Sequence, residues 1–240
     1  MEIIDVHSHI GRSRDGANQA PQKTLQAMRE FKVARSIIFP IDEKDPGPSY
    51  ERMNRWIARL VRESRSFIGC ARLNPNEPEA ALREIGFARE NGFRAVKLHP
   101  RSDCFNVDLA APLFQSISES RLAVMLHTGH EPNCHPDDWL HIFKSYPKTY
   151  FILAHSGKDV YAEAIEIAKA LANIYLDTST LSYYRTSVVL KRAGARKVVF
   201  ASDIPYSHLG LEIEKFKYLV PEERKRRLVF GENVKRILGM

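Results

Sequence analysis

Eight short apolar runs, each followed by a helical pattern, constrain this chain more than any other feature. The runs span residues 3–9, 34–41, 67–73, 94–100, 122–129, 149–157, 174–180 and 197–205. Between them lie amphipathic stretches. SYERMNRWIARLVRES (49–64) places Met53, Trp56, Ile57 and Leu60 on one face, and EPEAALREIGFAREN (77–91) stops before Gly92. DLAAPLFQSISES, HPDDWLHIFKSY and DVYAEAIEIAKALAN fill further gaps, with weaker patterns in TLQAMREF and TSVVLKRAG. Strands alternating with helices imply right-handed crossovers and parallel pairing. Continuous apolar runs fit strands covered on both faces. Eight such units in 240 residues predict a (β/α)8 TIM barrel, a parallel eight-stranded barrel in a single domain spanning residues 1–240. The tail PEERKRRLVFGENVKRILGM reads as one or two closing helices broken at Gly231.

Polar residues sit where each apolar run ends. The first run closes on His7 and His9, the fourth on Lys97 and His99, the fifth on His127, the sixth on His155 and the eighth on Asp203. Residues i and i+2 of a strand share a face, so His7 and His9 point the same way. Imidazoles turned into a barrel are costly without partners. The C-terminal ends of the strands are where barrels build active sites, so these side chains are expected to converge. Imidazole and carboxylate ligands suit a divalent ion such as zinc, and also manganese, iron or nickel. Three histidines and an aspartate leave one position for water, whose pKa the metal lowers towards ~7. Asp203 is placed to take that water's proton, and His155 to orient the nucleophile or polarise a carbonyl.

Lys97 admits two readings: a barrel-interior lysine paired with Asp5 or another acid, or a carbamate bridging two metals. His99 is a candidate substrate contact, and Asp177 and Asp5 are candidate hydrogen-bond partners. His130, His135, His141 and Cys134 crowd the segment after the fifth run. A second zinc site is conceivable there, although surface histidines are commoner. The three cysteines are odd in number and irregular in spacing, which argues against a disulfide framework and for a reducing, cytoplasmic setting. No run is long enough to cross a bilayer, and MEIID lacks the positive charge of a signal peptide. The net charge is +7, but its positive residues are scattered among acids. This disfavours nucleic acid as a partner and fits a small anionic substrate. Arg12 and Arg101 are the candidate anion contacts, with Arg14, Lys158 and Arg185 in similar post-strand positions. A homodimer is the default for a soluble oligomer.

DVHSH, VKLHP, LHTG, AHSG, FASDIP and the closing FGENVKRILG together resemble the amidohydrolase superfamily. The likeness is strongest to the branch that includes the aminocarboxymuconate-semialdehyde decarboxylase-like proteins. It runs from Asp5 to Gly239. The resemblance implies a metal-dependent barrel in which His7, His9, His127 and Asp203 hold the principal metal, one per chain and most simply Zn2+. His155 then contacts the reactive water or substrate. In members with two metals, His155 and Lys97 serve the second. The family's chemistry covers hydrolysis of amides, lactones and esters, and also decarboxylation. The expectation is a hydrolase of a small anionic substrate, with a decarboxylase on the same site as the alternative. A TatD-like deoxyribonuclease or phosphoesterase ranks below both, because FIGCARLNP lacks the acid such proteins carry.

Overall fold

The computed structural model describes residues 1–240. Nine strands form one sheet: β1 (Ile4–Arg12), β2 (Asn18–Gln19), β3 (Arg35–Pro40), β4 (Phe67–Arg72), β5 (Ala95–Leu98), β6 (Ala123–His127), β7 (Phe151–Ala154), β8 (Ile174–Asp177) and β9 (Val198–Val199). Their spatial order is β2-β1-β3-β4-β5-β6-β7-β8-β9. Every neighbouring pair is parallel except β1 with the two-residue β2. Each run predicted as a strand contains one, while β2 was not foreseen. It is too short for any periodicity to register. Beyond β9 the chain passes beside β1. Val6 N–H donates to Phe200 O (3.1 Å), Asp203 N–H to His7 O (2.8 Å) and His9 N–H to Ile204 O (2.9 Å). The architecture is a TIM-barrel-like α/β fold.

Helices α1 (Pro21–Glu30), α2 (Glu51–Glu63) and α3 (Pro78–Glu90) follow β2, β3 and β4. Proline opens α1 and α3 at a position where its missing N–H costs nothing. The stripe read on α2 is buried at Met53, Ile57 and Leu60. The segment after β5 is more broken than its pattern suggested, giving α4 (Pro100–Asp103), α5 (Val107–Ala110) and α6 (Phe114–Glu119). Then come α7 (Leu140–Ser145), α8 (Tyr161–Ala170), α9 (Tyr183–Ala193), α10 (Leu209–Leu219), α11 (Glu223–Arg227) and α12 (Asn233–Leu238). The tail does not break at Gly231 as expected: α11 continues into α12 through a π turn at Leu228–Glu232 that contains this glycine. A Cβ on Gly231 would lie 3.0 Å from the Glu2 carbonyl oxygen, so any larger residue there would push the closing segment and the N-terminus slightly apart.

Two apolar layers result. An outer layer between sheet and helices includes Ile3, Ile10, Ile38, Leu98 and Leu126. An inner layer includes Ile4, Val6, Ile37, Phe39, Cys70, Met125, Ile152 and Tyr175. In β1 the two layers change phase. Ile4 and Val6 belong inside, yet so do His7 and His9, while Ile10 is outside. A register shift between Asp5 and Ser8 inserts the extra residue responsible. This bulge re-aims the upper half of the strand, so on the inner side of the sheet apolar residues lie below and both imidazoles lie at the C-terminal end.

Candidate metal centre

One cavity of about 400 Å3 gathers most of the residues singled out in the sequence. His7, His9, Lys97, His99, Arg101, His127, His155, Lys158 and Asp203 all line it. They arrive on β1, β5, the start of α4, β6, the turn after β7 and the segment after β9, at the C-terminal ends of the parallel strands. Arg12 does not line it. Its side chain is exposed, and its backbone N–H donates to Glu43 Oε1. Arg14 and Arg185 also lie outside the lining. A larger groove, about 560 Å3, runs along α2 beside Arg52, Arg55, Arg59 and Arg62, and holds none of the candidate ligands.

Asp203 is the hub. Its Oδ1 lies 3.1 Å from His7 Nε2 and 3.0 Å from His9 Nε2. Ligand atoms of His7, His155 and Asp203 lie within 4.8 Å of one another. The rings of His7 and His155 are 5.1 Å apart, and those of His127 and His155 5.0 Å. His7 Nδ1–H donates to Asp177 Oδ2 at 2.6 Å, which leaves Nε2 facing Asp203. His155 Nδ1 is occupied by Ser179 Oγ (3.1 Å) and Thr180 Oγ1 (3.3 Å), leaving its other nitrogen free.

Electrostatics complete the description. Burial pushes the His9 and His155 pKa values down to about 4, and those of His127 and His99 well below the ordinary histidine range. Burial and the Lys97 charge oppose protonation of His7, but Asp203 and Asp177 outweigh them and raise its pKa. Burial also opposes the Asp203 charge, yet His7 and His155 hold that carboxyl well below its usual range. Neutral His9, His127 and His155 beside an ionised Asp203 match the protonation states that metal ligation requires, whereas His7 would have to give up a proton as an ion binds. His9 Nδ1 and His127 Nε2 are buried without hydrogen-bond partners, which is costly unless a ligand satisfies them. The residues present therefore fit a divalent ion.

Lys97 is not paired with Asp5. The Asp5 carboxylate is taken up by Ser8 Oγ (2.7 Å), Ser202 Oγ (2.5 Å) and the N–H groups of His7 and Ser202. Lys97 Nζ is buried with no partner, 5.2 Å above the Phe39 ring, and desolvation lowers its pKa to about 8. After β6, His130 pairs with Asp159 at the surface, His135 caps the turn at Pro136–Trp139, and His141 is exposed. The metal-compatible group there is instead His127, Glu131 and Cys134.

Sequence reasoning missed several members. Asp15, Asp42, Ser102, Thr180 and Tyr206 also line the cavity. Arg72 ends β4 fully buried, ion-paired with Asp42 and with Asp103 (3.1 Å). Its period-two spacing from Ile68 and Cys70 was the available signal. Backbone conformation is a second marker. His155, Lys158, Thr180 and Asp203 line the cavity with φ of 59°, 50°, 63° and 58°. Strained positions of this kind cluster at functional sites, at about 1–3 kcal/mol each.

The sequence matches the family model described as amidohydrolase over residues 4–240, and the chain belongs to that family. It is a metal-dependent enzyme of the amidohydrolase type. No curated protein matches it. Among solved structures it is similar to 5-carboxyvanillate decarboxylase LigW from Sphingomonas paucimobilis, with 14% identity, 100% of this chain and 99% of that one covered, and a TM-score of 0.80. It is also similar to an uncharacterised TIM-barrel protein from Bordetella bronchiseptica, at 16% identity, 100% and 99% coverage and a TM-score of 0.82. A third is dihydroxybenzoic acid decarboxylase from Polaromonas sp. JS666 with bound manganese, at 17% identity, 99% and 97% coverage and a TM-score of 0.80. No helix of the chain is long and apolar enough to cross a membrane.

Proposed function

We propose that the chain is a hydrolase of a small anionic amide, lactone or ester, working in a closed eight-stranded barrel with one divalent ion, most simply Zn2+. The observation that carries this reading is the convergence of His7, His155 and Asp203, whose ligand atoms lie within 4.8 Å of one another in one polar cavity that His9 and His127 also line. His7, His9, His127 and Asp203 would hold the ion, and in a two-metal centre His155 and Lys97 would serve the second. Bound there, the ion would supply Lewis-acid polarisation and water activation at neutral pH. The chain's own groups do the rest. Asp203, held ionised, accepts a proton. His155, its Nδ1 fixed by Ser179 and Thr180, presents its free nitrogen to the substrate. Asp177 orients His7. His99 stacks on His127 at 3.9 Å and walls one side.

Decarboxylation at the same site is the second reading. The names carried by two similar structures, 5-carboxyvanillate decarboxylase and dihydroxybenzoic acid decarboxylase, favour it. Elemental analysis of untagged protein, beside His7→Ala/His9→Ala, tests the centre. About one metal per chain, lost in the variant, is expected, and no metal after reconstitution with zinc, manganese or iron overturns it. Screening the loaded enzyme against lactones, esters and amides, with carbon dioxide release followed from test acids, separates the two reactions.

A further inference from the structure

Arg101 and Lys158 come from different elements, α4 and the turn after β7, yet meet at one atom. Arg101 Nη1 and Lys158 Nζ each donate to Glu131 Oε1 at 3.1 Å. Both cations line the cavity, and Glu131 does not. They are also more exposed than the histidines, which places them at its mouth. Two cations against one carboxylate leave one positive charge unbalanced. One guanidinium nitrogen and one ammonium hydrogen are engaged, so the remaining donors are free for a ligand.

The arrangement is built at a cost. Lys158 adopts φ 50°, ψ −109°, which is open to glycine but strained for lysine. The turn is forced into shape by Ser156 Oγ–H donating to Asp177 O (2.7 Å) and Gly157 N–H donating to Thr128 Oγ1 (2.9 Å). Glu131 is lodged where a Cβ on Gly129 would be 2.0 Å from its Oε2, so only glycine at 129 leaves that carboxylate in place. The rest of the lining is unusually polar. Of its residues only Tyr206 is hydrophobic, and it carries a hydroxyl bonded to Ser13. Small-molecule sites are ordinarily lined mostly by apolar and aromatic groups.

We infer that Arg101 and Lys158, positioned by Glu131, form a carboxylate clamp at the cavity mouth, and that the site takes a small hydrophilic monoacid rather than an aromatic one. The inference rests on reading this cavity as the active site. It deepens that reading by naming the substrate class: a short acid whose remaining surface is hydroxyl, carbonyl or amide.

Calorimetric titration tests it, with glycolate and 2,6-dihydroxybenzoate as matched monoanions. Titrations use metal-loaded and chelator-treated protein, as wild type, Arg101→Gln and Lys158→Gln, with metal content measured on each loaded sample. The expected result is at least tenfold weaker glycolate binding in both variants at unchanged metal content, and a wild-type preference for glycolate over the aromatic acid. Glu131→Gln leaves the clamp with two unbalanced charges, so preference should shift towards the dianion malonate over glycolate, a shift that simple loosening of the fold would not produce. Glycolate affinity indifferent to both substitutions, or tighter binding of the aromatic acid, overturns the clamp. Clamp-dependent binding in protein that takes up no metal would keep the clamp and sink the metal centre instead.

Discussion

His7 and Asp177 lie 170 positions apart and share a 2.6 Å hydrogen bond at the base of the cavity. The bond consumes the His7 Nδ1 proton and commits Nε2 to the side of Asp203. Carboxylates in this position hold a ligating imidazole in one tautomer and orientation, and their loss typically costs 10–100-fold in metal affinity. Asp177→Ala is therefore expected to weaken metal binding by about that factor while leaving every residue of the proposed ligand set in place. Competition against a chelator of known affinity measures it. Unchanged affinity would show that His7 needs no such support.

Lys97 gives a pH dependence whose sign is fixed by its burial. Desolvation lowers its pKa from 10.5 to about 8, with Asp203 and Asp177 offsetting only part of the penalty. A lysine depressed in the folded state favours folding when neutral, and that contribution is lost as pH falls from the unfolded value through the folded one. In chelator-treated protein the charged lysine should cost on the order of 3 kcal/mol below about pH 8, at about 1.4 kcal/mol per pH unit. Lys97→Met is expected to be more stable by about that amount at pH 7, with the difference closing as pH approaches 10. Urea denaturation across this range is the measurement, and a gap that widens with pH would contradict the assignment.

What was legible in the sequence follows from which interactions are local. Strand and helix positions follow from apolar periodicity, which each segment carries within itself. The meeting of His7, His9, His127, His155 and Asp203 could be anticipated because strand ends in a parallel sheet share one rim. Arg72 was harder to read for the opposite reason. Only its period-two spacing hinted at burial, because its partners, Asp42 after β3 and Asp103 at the end of α4, come from two other strand–helix units. The pairing of Lys158 with Glu131 was hidden similarly, because loop conformation brings them together. The β1 bulge could not be read either, since an apolar run gives no sign of where its phase slips.

The Arg72 cluster is expected to be structural. Its guanidinium is fully buried, forked onto Asp103 through Nε and Nη2, and stacked 4.3 Å from the centre of the Tyr50 ring. Tyr50 Oη–H donates to the same carboxylate at 2.7 Å. Removing one partner of a buried pair strands the other charge, at a typical cost of 3–5 kcal/mol. Asp103→Ala is expected to destabilise the protein by about 3 kcal/mol, because Asp42 still pairs with Arg72. Arg72→Met strands two carboxylates and should cost more. Equal or negligible losses in denaturant titrations would mean that solvent reaches the cluster.

Lys158 offers a way to separate stability from binding. Its φ of 50° and ψ of −109° are imposed by the turn, so the side chain is retained against a backbone penalty of about 1–3 kcal/mol. Glycine adopts that conformation freely but loses more chain entropy on folding, roughly 1 kcal/mol. The ion pair with Glu131 is partly exposed and contributes at most about 1 kcal/mol. The terms nearly cancel, so Lys158→Gly should melt at or slightly above the wild-type temperature. Its affinity for glycolate should nonetheless fall at least tenfold, because one arm of the clamp is gone. A residue retained only for folding would show the reverse, a lower melting temperature with binding preserved. Melting curves and titrations on the same preparation decide between them.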